Sequence, residues 1–211
     1  MGVELYLDLI SQPCRAIYLF AKANSIPFEV HSVELLKAIL RYLGQKYKTP
    51  AHWDPPELQA RARVEEYLSW HADVIRGTFG VMLWIQVLCP FIDAHVPKEK
   101  VDRNIGFMVQ ALQHLEQKFL KDQPFLTGDQ ISLADLMALE ELMQTYYGGF
   151  DVFEGRPKLA AWRARVEAVL GEKLCQETRE AIRKLCAEPR PVMDIPSAIR
   201  ERMKLRLSKI P

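Results

Sequence analysis

Several short stretches carry residue types that could do chemistry. The first is S-Q-P-C, Ser11 to Cys14, which lies between an alternating apolar stretch and an apolar stripe of helical period. A serine hydroxyl at a helix start can cap the helix, which its position alone favours. It can also donate a hydrogen bond to an anion at the positive end of the helix dipole. Cys14 makes a C-x-x-C pattern whose first cysteine is replaced, which admits thiol–disulfide transfer, although a cysteine there more often packs inward. In HADVIRGTFG, Asp73 and Arg76 stand one helical turn apart. They read as an exposed ion pair worth little, or as an arginine fork matched to oxyanions. Trp84, with Phe79 and Met82, could wall an apolar pocket or simply fill a core. Ser132 and Asp135 fit an N-cap and its reciprocal partner, with aspartate in place of the usual glutamate, and are structural. The cysteines Cys14, Cys89, Cys175 and Cys186 show neither metal-ligand nor disulfide-framework spacing, so no metal site is expected.

The elements that must position these residues divide the chain. Val3 to Leu7 alternates as a strand, Pro13 suits a first helical turn, and Ile17, Phe20 and Ala21 make a stripe. Ser25-Ile26-Pro27 ends that helix, and FEVHSVEL reads as a second strand, which makes a parallel β-α-β unit. A helix then begins at Lys37 with no turn before it and runs to Tyr47. Two strands make a poor sheet, because stable ones usually have three or more. KTPAHWDPPE reads as a linker. Beyond it, helical patterns run from Pro56 to Cys89 (ended by Pro90), from Lys98 to Leu120, over ISLADLMALEELMQ, from Arg156 to Leu170 and from Gln176 to Cys186. A proline-rich link, EPRPVMDIP, precedes a basic amphipathic helix from Ser197 to Leu207. The predicted organisation is an α/β unit over 1–48, a linker over 49–56 and an all-helical domain over 57–211.

Composition excludes other classes. The 211 residues are 49% hydrophobic and 26% charged, with a formal net charge of +1, as in an ordinary soluble globular protein. That balance gives no sign of a nucleic-acid partner. Glu4 and Asp8 interrupt the only apolar segment near the start, so no signal peptide is read there, and Tyr6 stands where a myristoylation motif needs Ser or Thr. The run Val81 to Ile92 is too short to span a bilayer. With its cysteine pattern, the chain is expected to be cytoplasmic.

MGVELYLDLISQPCRAIYLFAKANSIPFEV, LQARARVEEYLSWHADVIRGTFG, PFLTGDQISLADLMALEELM and FEGRPKLAAWRARVEA together resemble the theta-class glutathione S-transferases, over nearly all of the chain as far as Cys186. The resemblance implies a glutathione transferase fold, with a thioredoxin-like N-terminal domain (here truncated) followed by an all-helical C-terminal domain. It implies a cytoplasmic homodimer acting in detoxification. It further implies that reduced glutathione, a co-substrate rather than a cofactor, is conjugated to hydrophobic electrophiles such as halides and sulfate esters. On this likeness Ser11 is the catalytic residue, donating a hydrogen bond to the glutathione sulfur. Ser11, Asp73 and Arg76 bind glutathione, Arg76 and Trp84 line the electrophile pocket, and the terminal helix lies across the mouth of the site.

In the family, a helix and two strands stand between the second strand and the helix that here begins at Lys37. That block, roughly thirty residues at ordinary element lengths, is absent between Lys37 and Ala38, and both flanks match the family in frame. A skipped coding segment or an error in predicting the coding sequence explains this join. With the block goes much of the family's glutathione site: a cis-proline loop, and an acidic-serine pair at the start of the following helix. The gap leaves a second reading open, a catalytically impaired transferase-fold protein that binds apolar ligands or dimerises with a full-length partner. A thiol redox protein using Cys14 is a third.

Overall fold

The computed structural model describes residues 3–7, 9, 11–31, 39–187 and 195–210. The junction of Lys37 and Ala38, the end of the second expected strand and most of the proline-rich link before Ile195 lie outside the described residues.

The N-terminal unit is small. Strand β1 (Val3–Tyr6) pairs in parallel with β2 (Phe28–His31), with Val3 opposite Phe28 and Leu5 opposite Val30. Helix α1 (Gln12–Ala23) connects them, with Pro13 in its first turn, where a missing N–H costs nothing. Among the described residues these two strands form the whole sheet. Helix α2 (Ile39–Lys46) follows and buries Leu40 and Leu43. The expected linker is firmly anchored. Trp53 is buried, its ring meets Phe20 edge-on at 5.3 Å, and its carbonyl accepts from the Leu133 N–H at 3.0 Å.

The remainder is helical. Helix α3 (Leu58–Phe91) is 34 residues long and contains wide π-type turns at His71–Ile75 and Trp84–Leu88. Proline was expected to stop it at Cys89, but the second wide turn, closed by Cys89 N–H to the Trp84 carbonyl, admits Pro90 one residue before the end. By length and apolar composition α3 could cross a membrane. Its stripe of Tyr67, Ile75, Phe79 and Met82 is instead at most 1% exposed, inside the helical core. Helix α4 covers 98–120, α5 is Leu133–Tyr147 and α6 is Pro157–Leu170. Helix α7 (Glu172–Cys186) starts four residues before the expected Gln176, because Gly171, at φ +90°, turns the chain directly from α6 into α7. Helix α8 (Ser197–Ser208) packs Leu207 and the following Ile210 against Cys89, Ile92 and Val96 at the end of α3.

Helix α5 is the centre of the molecule, buried from Leu133 to Thr145 without interruption. Its start carries the expected capping box. Asp135 Oδ2 accepts from the Ser132 N–H at 3.0 Å, and Ser132 Oγ accepts from the Ala134 N–H at 3.2 Å. Asp135 Oδ1 also accepts from the Leu126 N–H and from Trp162 Nε1, both at 2.8 Å. Burial raises the Asp135 pKa although these donors pull it the other way.

Candidate active site at the start of helix α1

Ser11 occupies the N-cap position of α1 with extended backbone (φ −79°, ψ 125°), and its carbonyl accepts the Arg15 N–H at 3.1 Å. Its side chain makes no capping hydrogen bond. Among the described residues the hydroxyl has no partner, and it stands at the positive end of a twelve-residue helix. The chain cannot easily shift there, because the next turn is anchored in the helical domain. Gln12 is fully buried and donates Nε2 to the Met137 carbonyl of α5 at 2.9 Å. Arg15, equally buried, donates Nη1 back to the Leu9 carbonyl at 3.0 Å, which fixes the loop before Ser11. Its Nε meets Glu140 Oε2 at 2.8 Å, and its Nη2 reaches Gln144 Oε1 at 3.1 Å.

Glu140 also pairs with Arg179 of α7 at 3.1 Å, and Arg179 continues to Glu167 of α6 at 2.6 Å. Burial alone would lower the Arg179 pKa; the Glu140 carboxylate first, then Cys175 and Glu167, raise it above the ordinary guanidinium range. A buried carboxylate needs such partners, since an uncompensated charge there costs several kcal/mol.

Arg76 begins the regular turn after the first wide turn of α3. The expected ion pair with Asp73 does not form. Arg76 Nη1 instead lies 3.0 and 3.3 Å from the two carboxylate oxygens of Glu141, which is fully buried on α5. Asp73 remains exposed, because the helix face toward α5 is taken by the arginine. About a third of the Arg76 side chain (34%) is exposed, and its Nε and Nη2 make no hydrogen bond among the described residues. Helix α5 thus holds both candidate groups. Ser11 is held through Gln12 on Met137 and Arg15 on Glu140, and Arg76 is held on Glu141. Gln144 lies between, accepting from Arg15 and donating to Glu141 Oε1 at 3.5 Å.

Phe79 and Met82 are buried in the main core. Trp84 is half-buried against the cluster that α8 closes with Met203 and Leu207. Cys14 is 1% exposed and packed in the core, a poor position for a thiol that must meet a disulfide. Burial pushes the Cys175 thiol up to about 11. Two surface hollows of about 390 Å³ each lie elsewhere, beside His52 and Asp129 and beside Lys121 and Lys158. Among the described residues no group of His, Cys, Asp and Glu could hold a metal ion.

Sequence reasoning passed over Gln12, Arg15, Glu140, Glu141 and Gln144. The signal was present, because L-M-A-L-E-E-L-M puts two adjacent carboxylates in a helix otherwise apolar on every side. Charges so placed require buried partners.

Residues 81–169 match the family model of the glutathione S-transferase C-terminal domain. Human glutathione S-transferase theta-2 is 52% identical over 244 aligned positions, and the match covers all of both chains. Two solved human theta-2 or theta-class structures superpose over 100% of both chains with TM-scores of 0.92 at 51% identity. One is a complex with glutathione and an unknown ligand, the other a complex with the glutathione conjugate of 1-menaphthyl sulfate. An alignment of 244 positions is 33 longer than this chain of 211 residues, and it runs end to end, so the shortfall is internal. That agrees in size with the block expected to be absent. On identity and coverage together, the chain belongs to the theta class of glutathione S-transferases.

Proposed function

We infer that this chain conjugates the thiol of glutathione to apolar electrophiles, with Ser11 stabilising the thiolate and Arg76 receiving the leaving group. The observation that carries this reading is the Ser11 hydroxyl, uncommitted at the N-terminus of α1 and held by α5, the helix that also anchors Arg76. A free thiol has a pKa near 8.5 and is mostly protonated at neutral pH. A hydroxyl donor and the positive helix end both favour the anion. The thiol proton leaves to water, and the sulfur lone pair attacks the electrophilic carbon. A C–S bond forms as the bond to halide or sulfate breaks, and the leaving group departs with the electron pair. The Nε and Nη2 donors of Arg76, without a partner among the described residues, suit a sulfate better than a neutral group, because the guanidinium fork matches oxyanions. Asp73, exposed on the same helix, is assigned to glutathione, and Trp84 to the electrophile.

Glutathione is held weakly here relative to full-length relatives. Contacts from the absent block are lost, and each charge-assisted hydrogen bond is worth about 1.5–3 kcal/mol. The chain acts as a cytoplasmic homodimer in the clearance of electrophiles and needs no metal or cofactor beyond its co-substrate. Its free cysteines suit a reducing compartment. The test is ultraviolet titration of the glutathione thiolate in the presence of excess protein. The bound thiol should titrate about two pH units below its value in buffer, and Ser11→Ala should abolish the difference. A thiol that titrates as it does in buffer overturns the assignment.

A further inference from the structure

We propose that Glu141 is a positioning residue that turns Arg76 from a mobile surface charge into an oriented receptor for an oxyanion leaving group. This rests on the reading of Arg76 given above and extends it to the residue that aims the guanidinium. Glu141 has no solvent exposure, whereas Arg76 keeps 34%, so the pair straddles the boundary of the core. A single nitrogen, Nη1, is committed to both carboxylate oxygens. The opposite edge, Nε and Nη2, is left with parallel donors and no partner among the described residues. An arginine restrained on one edge loses less rotamer freedom when an anion binds the other. The buried carboxylate also offsets the arginine's charge while the site is empty, so the guanidinium need not fold back onto an exposed acid such as Asp73.

Position along α5 adds a second argument. Met137, which receives Gln12, and Glu141, which receives Arg76, are four residues apart, about 6 Å of helix rise. The nucleophile end and the leaving-group end of the reaction are therefore docked one turn apart on a helix that cannot rotate, since Leu133 to Thr145 are buried throughout. Gln144 closes the arrangement by contacting Arg15 on one side and Glu141 on the other.

The test compares an arylmethyl sulfate with the arylmethyl halide of the same frame. In Glu141→Gln, the sulfate-to-halide ratio of kcat/KM should fall about tenfold, as for the loss of one charge-assisted contact in the transition state. Arg76→Gln should lower it at least as far, and adding Glu141→Gln to Arg76→Gln should lower it no further. Glu116→Gln, which frees Arg156 in another part of the helical domain, serves as a control for general destabilisation and should leave the ratio unchanged. If Glu141→Gln and Arg76→Gln reduce both substrates equally, or their effects on the ratio add, Glu141 does not act through Arg76. If Glu141→Gln fails to fold, Glu141→Asp replaces it, and an unchanged ratio in that folded variant overturns the proposal. If the unaltered chain conjugates neither substrate, the enzymatic reading fails, and the positioning role is read by nuclear magnetic resonance. The Arg76 Nη protons, identified by their loss in Arg76→Gln, should show slowed rotation about the Cζ–Nη1 bond in the unaltered chain and fast rotation in Glu141→Gln, because Nη1 is the nitrogen held by the carboxylate. Equal rotation rates in the two would refute the role.

Discussion

The two halves of the molecule hold together in different ways. The helical domain builds its own interior: α5 sits within it, a capping box starts that helix, and Trp162 and Leu126 both donate to Asp135. Among the described residues the N-terminal unit has two strands of four residues and a short second helix, too little to bury α1 by itself. Helix α1 is nevertheless buried along almost its whole length, polar residues included. Gln12 donates to Met137 of α5, and Arg15 reaches Glu140 and Gln144 of α5 as well as Leu9 in its own unit. The serine at the head of α1 is therefore placed mainly by the domain that follows it. A shortened sheet can lose much of the binding surface for a co-substrate and still keep its nucleophile-activating end in register.

The contrast is broken most directly by separating the halves. Residues 49–211 alone are expected to retain strong helical circular dichroism and one cooperative denaturant transition, while 1–48 alone should show no cooperative transition. A folded 1–48 would mean that the sheet supports itself. A smaller effect comes from loosening the dock. Arg15→Met should cost about 3 kcal/mol in urea denaturation, the low end for an orphaned buried partner because Arg179 stays on Glu140. Arg156→Met, which breaks the half-buried pair with Glu116 inside the helical domain, should cost about 1 kcal/mol. Equal costs would remove the distinction between a dock and an ordinary ion pair. The smallest effect concerns the start of α3. The N–H groups of Gln59 and then Ala60 hold the Glu57 carboxyl below its ordinary 4.5. Folding thus favours the ionised form, so the stabilisation is full above that value and is lost as pH falls through the lower folded pKa. Glu57→Ala should lower the thermal midpoint slightly at neutral pH, and the gap should close on acidification below 4.5.

Local chemistry was legible where it is decided locally. The parallel β1–α1–β2 unit, the Ser132–Asp135 box and the start of α8 at Ser197 follow from turn residues and apolar periods within a few positions. The choice of partner for Arg76 was not. An i, i+3 acid was the nearest candidate in sequence, yet a carboxylate 65 positions away prevailed, since burying Glu141 without a cation would cost far more than leaving Asp73 in water. Pro90 misled for a related reason, because a wide turn absorbs the missing N–H and periodicity carries no sign of it. The role of Arg15 was hidden too, since a lone arginine in an apolar stripe looks like an interruption until the facing helix is known.

Helix α5 has one more consequence. A segment with no face toward water offers its amide protons no private route to exchange with solvent. Its isotope labelling should follow only the coming apart of the entire fold, so these peptide groups form a built-in gauge of the free energy that separates the native chain from the unfolded one.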